Sequence, residues 1–447
     1  MKKLISVLMG IAVVSSAGAS VISCGAVSLA GEEGKRAVLV TDGGNVNDKS
    51  FNEGALNGIR KYGRDNFDLD YRGNYVEAKN NNAQSLEDAY RVAFDRGADA
   101  MVLAGFIHEG TIEMASKLMN GKTVVLADGV PRDKNGNEVG DKFDNVISIK
   151  FNSELAGFQA GFDAAHWVKG NYEEADANGD GIIKIGTFAG MSNKYSVDNY
   201  MWGMLVGVDL YNKLNAGDAD YKAIQLANDN IVKDGVVDFA NMKAVKSNDN
   251  QWFTQSFAVD DSANAMADLL FNKGADIVFP VAGVQIEAIL AKKAYDTKKH
   301  MKLIGVDTNQ AHSYESYKGR FLSSAIKNLE QAIADELLAA KSLGASDEEA
   351  HDGSIAKPHE NWSINVIAEN EEDHLNLIKK HAVSYEAVGY DAAVSELQST
   401  IIKAFASTGL GTEEYMNGTE VAKATQLLLD NWESIKAAFD VDLQNLK

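Results

Sequence analysis

Apolar residues in this chain come in runs of about five, and each run stops at a glycine or an aspartate before helical spacing begins. Residues 36–40 (Arg-Ala-Val-Leu-Val) run into Thr41-Asp42-Gly43-Gly44, and residues 48–50 can cap the helix that follows. The unit recurs. Strands are expected near 71–77, 99–105, 122–129 and 145–150, with helices over 85–96, 109–119 and 153–168. The second half repeats the style, with strands over 182–188, 255–259, 276–283 and 302–307 and helices over 198–215, 262–273 and 285–295. Runs this apolar suit strands buried on both faces, and their alternation with helices implies parallel sheets covered on both sides. Two such series predict two doubly wound α/β lobes. In open parallel sheets a ligand sits beyond the carboxyl ends of the strands. That rule selects Asp42, Gly105, Asp128, Gly190, Gly283 and Asp307 as the lining of one interlobe cleft.

The two ends of the chain depart from this pattern. Met1-Lys2-Lys3 precedes an apolar run to about Ile22, followed by Ser23-Cys24-Gly25, which is the grammar of an export signal. Cys24 is the only cysteine in the chain. The residues before it are similar to a lipobox, so residues 1–23 are expected to leave as a signal peptide and Cys24 to carry the lipid anchor. Two or more acyl chains there would hold the protein stably on the outer face of a bacterial cytoplasmic membrane. An uncleaved signal anchor is the alternative. One cysteine allows no internal disulfide, so stability must come from a large core. Residues 24–34 read as a tether. At the other end, 342–358 is polar, and 373–387, 391–407 and 419–439 read as helices. These form a mainly helical extension over 346–447, packed on the second lobe. The lobes are expected to exchange chain near Lys150, His300 and Ser323. This assigns 35–150 and 300–322 to the first lobe, and 151–299 and 323–345 to the second.

Charge narrows the partners. The formal net charge is −21, or about −23 without Lys2 and Lys3, which argues against nucleic acid. The proposed cleft carries several carboxylates and one clear lysine, which disfavours a nucleotide phosphate. The chain contains no phosphate-binding Gly-x-x-x-x-Gly-Lys-Ser/Thr loop, no Gly-x-Ser-x-Gly elbow and no His-Glu-x-x-His. Catalysis is therefore not expected. His108, just after Ala104-Gly105, is expected as a polar residue at the cleft rim.

The most informative segment is 41–52, Thr-Asp-Gly-Gly-Asn-Val-Asn-Asp-Lys-Ser-Phe-Asn. Asp42 offers two acceptor oxygens, the glycines allow close backbone approach, and Phe51 presents a flat face. A capped turn with a core phenylalanine would look the same. The string Asp-Gly-Gly, two variable residues, Asn-Asp, then Ser-Phe-Asn resembles the opening of the basic membrane protein family. These are lipoproteins with a type I periplasmic-binding-protein fold that bind purine nucleosides and feed ABC importers. Further similar segments follow in order: 145–161 with Ala156-Gly157 and Ala160-Gly161; Val197, Tyr200, Gly203 and Gly207; Val281-Ala282-Gly283; Gly305-Val306-Asp307; and Ser324-Ala325-Ile326-Lys327-Asn328. The resemblance covers about 35–338.

That resemblance implies a base held between Phe51, beside Asn52, and an aromatic ring at Tyr200, with Trp202 as a competitor for the second place. It implies that Asp128 accepts from the base edge, and that Asp42, Asp307 and Lys327 hold the ribose hydroxyls near the Gly283 backbone. Adenosine, guanosine or inosine would be the ligand, ABC permease subunits the partners, and a monomer the working form. A sugar or signalling molecule in the same cleft is the alternative, since the rings could stack on a pyranose. A nucleoside hydrolase using Asp42 or Asp128 as base is the third reading. Separately, Asp176-Ala-Asn178-Gly-Asp180-Gly181 matches the start of an EF-hand-type calcium loop. Position twelve is Thr187, where a Glu is expected, so a weak structural calcium site or a plain acidic turn are the two readings. No other cofactor is expected.

Overall fold

The computed structural model describes residues 28–140, 142–151, 153–228, 232–233, 236–237, 252–292, 300–353, 383–387 and 421–432. Cys24, the export signal and the expected helix over 391–407 lie outside these residues.

The first lobe is built on strands β1 (Ala37–Val40), β2 (Tyr75–Val76), β3 (Ala100–Ala104), β4 (Thr123–Ala127) and β5 (Val146–Ile149). They form a parallel sheet in the order β2-β1-β3-β4-β5. Every residue of β1, β3, β4 and β5 is buried, as their unbroken apolar runs require. Helices α1 (Phe51–Phe67), α2 (Ala83–Asp95) and α3 (Ile112–Met119) cover the sheet. Asp48 caps α1: its Oδ1 accepts from the Ser50 and Glu53 amides and its Oδ2 from the Asn52 amide.

The chain crosses to the second lobe after β5, as expected near Lys150. There α4 (Ser153–Gly170), α5 (Tyr172–Ala175), β6 (Lys184–Ala189), α6 (Asp198–Leu214), β7 (Gln225–Leu226), the short pair β8 (Val232–Lys233) and β9 (Val236–Val237), α7 (Asp261–Asn272), β10 (Ile277–Val281), α8 (Ile286–Leu290), β11 (Lys302–Asp307), α9 (Gln310–Ser313) and β12 (Phe321–Lys327) follow. The sheet order is β12-β11-β10-β6-β7, all parallel. Both lobes thus reverse strand order between their first strand and their third, the place where such sheets open a crevice.

Three expectations change. The chain does not return to the first lobe near His300, because the apolar residues 303–306 pair with β10 and β12 and complete the second sheet. The return comes only after Lys327, where α10 (Leu329–Leu338) packs on α1, with Leu329 and Ile333 against Gly54 and Gly58. Residues 339–353 stay with the first lobe, where the Ser342 hydroxyl meets Thr123 and the Gly353 amide donates to the Val146 carbonyl. The run 255–259, expected as a strand, is an irregular loop, with an isolated bridge between Phe253 and Ala189 just before it. Finally, Val383–Ala387, read as helix, is a strand, β13, antiparallel to β12 on the edge of the second sheet. Helix α11 (Val421–Asp430) lies within the expected helix over 419–439.

Among the described residues, the closest helix packing joins α4 to α6. A Cβ at Gly157 would stand 2.1 Å from the Tyr200 carbonyl oxygen, at Gly161 2.2 Å from that of Met204, at Gly203 2.0 Å from that of Glu154, and at Gly207 2.1 Å from that of Phe158. Each contact is with backbone, so the helices must separate to admit a methyl. We expect Gly203→Ala and Gly157→Ala each to destabilise the protein by about 1–3 kcal/mol, seen as a lower midpoint in denaturant unfolding. Gly170→Ala, with open space at its Cβ position, serves as the control.

Candidate functional site

Between the lobes lies a cavity of about 580 Å³. Its polar residues come from strand ends. Asp42 follows β1, Asp128 follows β4, Asp307 ends β11 and Lys327 ends β12, and all four line the cavity. Asp128 (φ 63°) and Asp307 (φ 64°) both take the left-handed conformation, an uncommon state for a residue with a side chain. They occupy the same position in the two lobes, after the fourth strand of each sheet's 2-1-3-4-5 order. The shared turn aims both carboxylates at Lys327.

Lys327 is the node of the site. Its side chain is 3% exposed. Nζ donates to Asp128 Oδ2 at 2.7 Å and to the Ser196 carbonyl at 2.8 Å, and stands 3.7 Å from Asp307 Oδ1. The rings of Tyr200 and Phe51 flank it, with centroids 4.8 and 5.5 Å away. Asp307 Oδ2 accepts from the Ser50 hydroxyl at 2.9 Å, and Asp42 Oδ1 accepts from Asn52 Nδ2 and the Gly44 amide, both at 3.1 Å. Burial pushes the Asp128 carboxyl up to about 6; Lys327 opposes this and the Asp307 charge adds to it. Burial likewise raises Asp48 to about 6 and moves Asp42 upward. Two buried acceptors on cavity-lining residues, Asp128 Oδ1 and Asn52 Oδ1, have no hydrogen-bond donor among the described residues.

The walls are apolar. Phe51 and Phe106 come from the first lobe, Phe257 and Val197 from the second. Phe106 and Phe257 meet edge to face across the cleft with centroids 6.1 Å apart. Polar contacts also bridge the lobes. The Ser196 hydroxyl donates to the Asp128 carbonyl at 2.8 Å, and that of Thr308 to the Lys49 carbonyl at 3.0 Å. Near the rim, Glu138 of the first lobe accepts from the Tyr195 hydroxyl at 3.0 Å and pairs with Lys194 at 3.1 Å and with Arg132 at 3.2 Å. The lobes are therefore closed on the cavity.

Of the residues singled out in the sequence, Asp42, Phe51, Asn52, Asp128, Gly283, Asp307 and Lys327 all line this cavity. Tyr200 does not. It is fully buried beneath Lys327, edge-on to Phe279 at 6.0 Å, with its hydroxyl donating to the Ala325 carbonyl at 3.3 Å. Trp202 is also core. The helix that carries both is held too close to α4, by the glycines above, for either ring to reach the cleft. Phe51 faces it as expected, whereas two further aromatics that face it, Phe106 and Phe257, were missed. Phe106 directly follows Gly105, one of the strand ends already selected. Phe257 precedes Asp260, which caps α7, much as Phe51 follows the capping Asp48.

His108 is not a rim residue. It is fully buried, with Nδ1 2.7 Å from the Tyr90 hydroxyl, and burial holds its imidazole down at about 3, so it is neutral. In the acidic turn, Asp176 accepts from the Gly179, Asp180 and Gly181 amides, Asn178 from the Asp180 amide, and Asp180 from that of Ile182. Lys184 stands 3.5 Å from Asp180. Thr187 is buried in β6 with its hydroxyl on the Phe279 carbonyl, so it does not close the loop. Among the described residues, no three His, Cys, Asp or Glu are grouped to hold a metal, and no helix is long and apolar enough to cross a membrane.

Comparison with known proteins agrees with this geometry. The chain is 25% identical over 354 residues to the ABC transporter nucleoside-binding protein BmpA of Lactococcus lactis subsp. cremoris, covering 75% of this chain and 84% of that one. It is 24% identical over 314 residues to the CD4+ T-cell-stimulating antigen of Listeria monocytogenes, covering 68% and 72%. Among solved structures, an ABC transporter system solute-binding protein from Aeropyrum pernix K1 superposes with a TM-score of 0.53 at 16% identity over 90% of both chains, a likeness of fold. The model of the Bmp family, described as ABC transporter substrate-binding protein PnrA-like, matches residues 35–214 and 233–344, more than half of the chain. Proteins of this family are substrate-binding components of ABC transporters, not enzymes. Two lobes closed on a cavity, and a family match that runs through both of them, place the chain in the Bmp family of PnrA-like ABC transporter substrate-binding proteins.

Proposed function

We propose that the protein captures a purine nucleoside in the interlobe cavity and delivers it to the permease of an ABC importer. The observation that carries this reading is the pairing of buried, unpartnered acceptors on Asp128 and Asn52 with three phenylalanines around one cavity. Acceptors without donors call for a ligand rich in N–H and O–H groups. Aromatic walls call for a flat ligand with apolar faces. A purine nucleoside has both, and the cavity is of ordinary size for a small ligand. In this arrangement Phe51 and Phe257 flank the base, while Asp42, Asp307 and Lys327 face the ribose. The name of the Lactococcus relative points the same way. For location, the lipobox-like residues before Cys24 support a lipid anchor on the outer face of the cytoplasmic membrane.

Calorimetric titration with adenosine, guanosine, inosine, uridine and ribose tests the ligand class. The protein should first be unfolded and refolded to strip carried-over ligand. We expect micromolar or tighter binding of a purine nucleoside. Phe51→Ala and Phe257→Ala should each weaken it by about 1–3 kcal/mol, on the order of 10–100-fold. Tyr200→Phe should leave direct stacking intact. Absence of heat with every nucleoside, from folded and stripped protein, would sink this reading and turn attention to sugars and signalling molecules.

Protonation supplies a second test. Asp128 is held at about 6 and must be ionised both to accept from the ligand and to hold Lys327. Binding should therefore strengthen as pH rises from 5 to 7 and weaken as pH falls through about 6. In Asp128→Asn the pH dependence should flatten at lower overall affinity. A pH-independent affinity across this range in the unaltered protein would show that Asp128 is not a ligand acceptor.

A further inference from the structure

A second cavity, of about 470 Å³, opens at the opposite end of the second lobe. It lies where α8 ends, β11 begins and the turn Glu315–Arg320 leads into β12. Lys302 begins β11 and Asp307 ends it, so at ~3.3 Å per residue this cavity is roughly 17 Å from the cleft floor. Among the described residues, its lining carries Lys292, His300, Lys302 and Arg320 against a single carboxylate, Glu174. In a chain of net charge −21 that local balance is reversed.

Arg320 is the informative residue. It is only 9% exposed, yet its partners are main-chain carbonyls: Nε donates to Met301 at 3.0 Å and Nη1 to Leu290 at 3.4 Å. No carboxylate stands within ion-pair distance of it among the described residues. Burial pulls its guanidinium below the ordinary range, with Tyr317 the one group acting against this. A guanidinium carries five N–H donors, so two carbonyls leave donors of the fork available to a further acceptor. Both lysines pair with exposed carboxylates, and Lys302 also donates to the Gly319 carbonyl at 3.2 Å. Lys302 pairs with Glu174, which is 59% exposed, and Lys292 with Asp268, which is 61% exposed. Such pairs contribute little and exchange readily for a better anion.

We propose that this cavity binds a phosphate-type oxyanion, with Arg320 as the buried fork and Lys292 and Lys302 closing on it from the rim. A tetrahedral oxyanion matches a guanidinium bidentately and accepts from ammonium groups at the same time. Ser316 and Tyr317 lie on the lining with further hydroxyl donors. The same chemistry is presented by free phosphate and by the phosphodiester headgroup of an anionic lipid. The position, on one lobe and away from the cleft, leaves solute capture and anion binding able to occur together.

The test is titration of the full-length protein with inorganic phosphate and, separately, with glycerophosphoglycerol, the soluble headgroup of phosphatidylglycerol, followed by phosphorus NMR line broadening. Saturable binding is expected, weakened about tenfold or more in K292Q/K302Q, whose side chains leave the Arg320 hydrogen bonds untouched. R320Q should lose binding altogether; should it fail to fold, the lysine pair decides. Tighter binding of the diester assigns the site to a lipid headgroup, and tighter binding of the free ion assigns it to phosphate. No saturation by either probe, or equal affinity in K292Q/K302Q with an unchanged melting temperature, overturns the proposal.

Discussion

A single buried ammonium organises the interlobe region. Lys327 is the last residue of the second sheet before the chain returns to the first lobe, and its charge has left water almost entirely. A buried charge is tolerated only with excellent partners. Here the partners come from both lobes: Asp128 from the first, Asp307 and the Ser196 carbonyl from the second. The interaction holds the lobes in register at the point where a ligand would touch both. It also explains the left-handed turns at Asp128 and Asp307. With extended backbone at either position, one carboxylate would point away and leave the ammonium under-neutralised. The strain is offset at Asp128 by a charge-assisted hydrogen bond from Lys327, and at Asp307 by the ion pair with Lys327 and the hydrogen bond from Ser50.

Around that node the second lobe divides its labour. The α4–α6 pair is packed backbone against backbone through four glycines, so it behaves as one rigid slab under the sheet. The loops at strand ends carry the chemistry. Rigidity below and variation above is the arrangement that lets one fold serve different ligands. At the rim, the interlobe ion pair of Glu138 with Lys194 is exposed and individually weak, so it can open without disturbing the slab.

The sequence showed the architecture through period and punctuation. Apolar runs ending in Asp or Gly marked the strands and the cleft side, and the strand-end rule alone found Asp42, Asp128, Gly283 and Asp307. Lys327 and Phe51 needed the family resemblance to gain a role. What stayed hidden was three-dimensional. Nothing in the spacing of Tyr200 distinguishes a ring in the cleft from one beneath it; the distinction comes from how closely Gly157 and Gly203 bring the two helices together. The crossing expected near His300 failed because a strand's lobe is set by its pairing, and residues 303–306 would satisfy either sheet by pattern alone. The strand at Val383–Ala387 was hidden for a similar reason, since its register comes from β12 rather than from its own composition.

The charge pattern of the cleft bears on what can enter it. Asp42, Asp48, Asp128 and Asp307 line the cavity against Lys327, the one buried cation there, and that cation is already committed to two carboxylates. Adding a phosphate to the ligand would bring a like charge into low dielectric beside uncompensated acids, a penalty that a few hydrogen bonds do not offset. Hydroxyl groups reverse the sign of the argument, because they donate to these acceptors, of which Asp42, Asp48 and Asp128 already lean toward protonation through burial. On the proposed reading, the same set of carboxylates disfavours a nucleotide and suits its dephosphorylated form. That preference follows from the number of acids relative to cations, without any residue dedicated to exclusion.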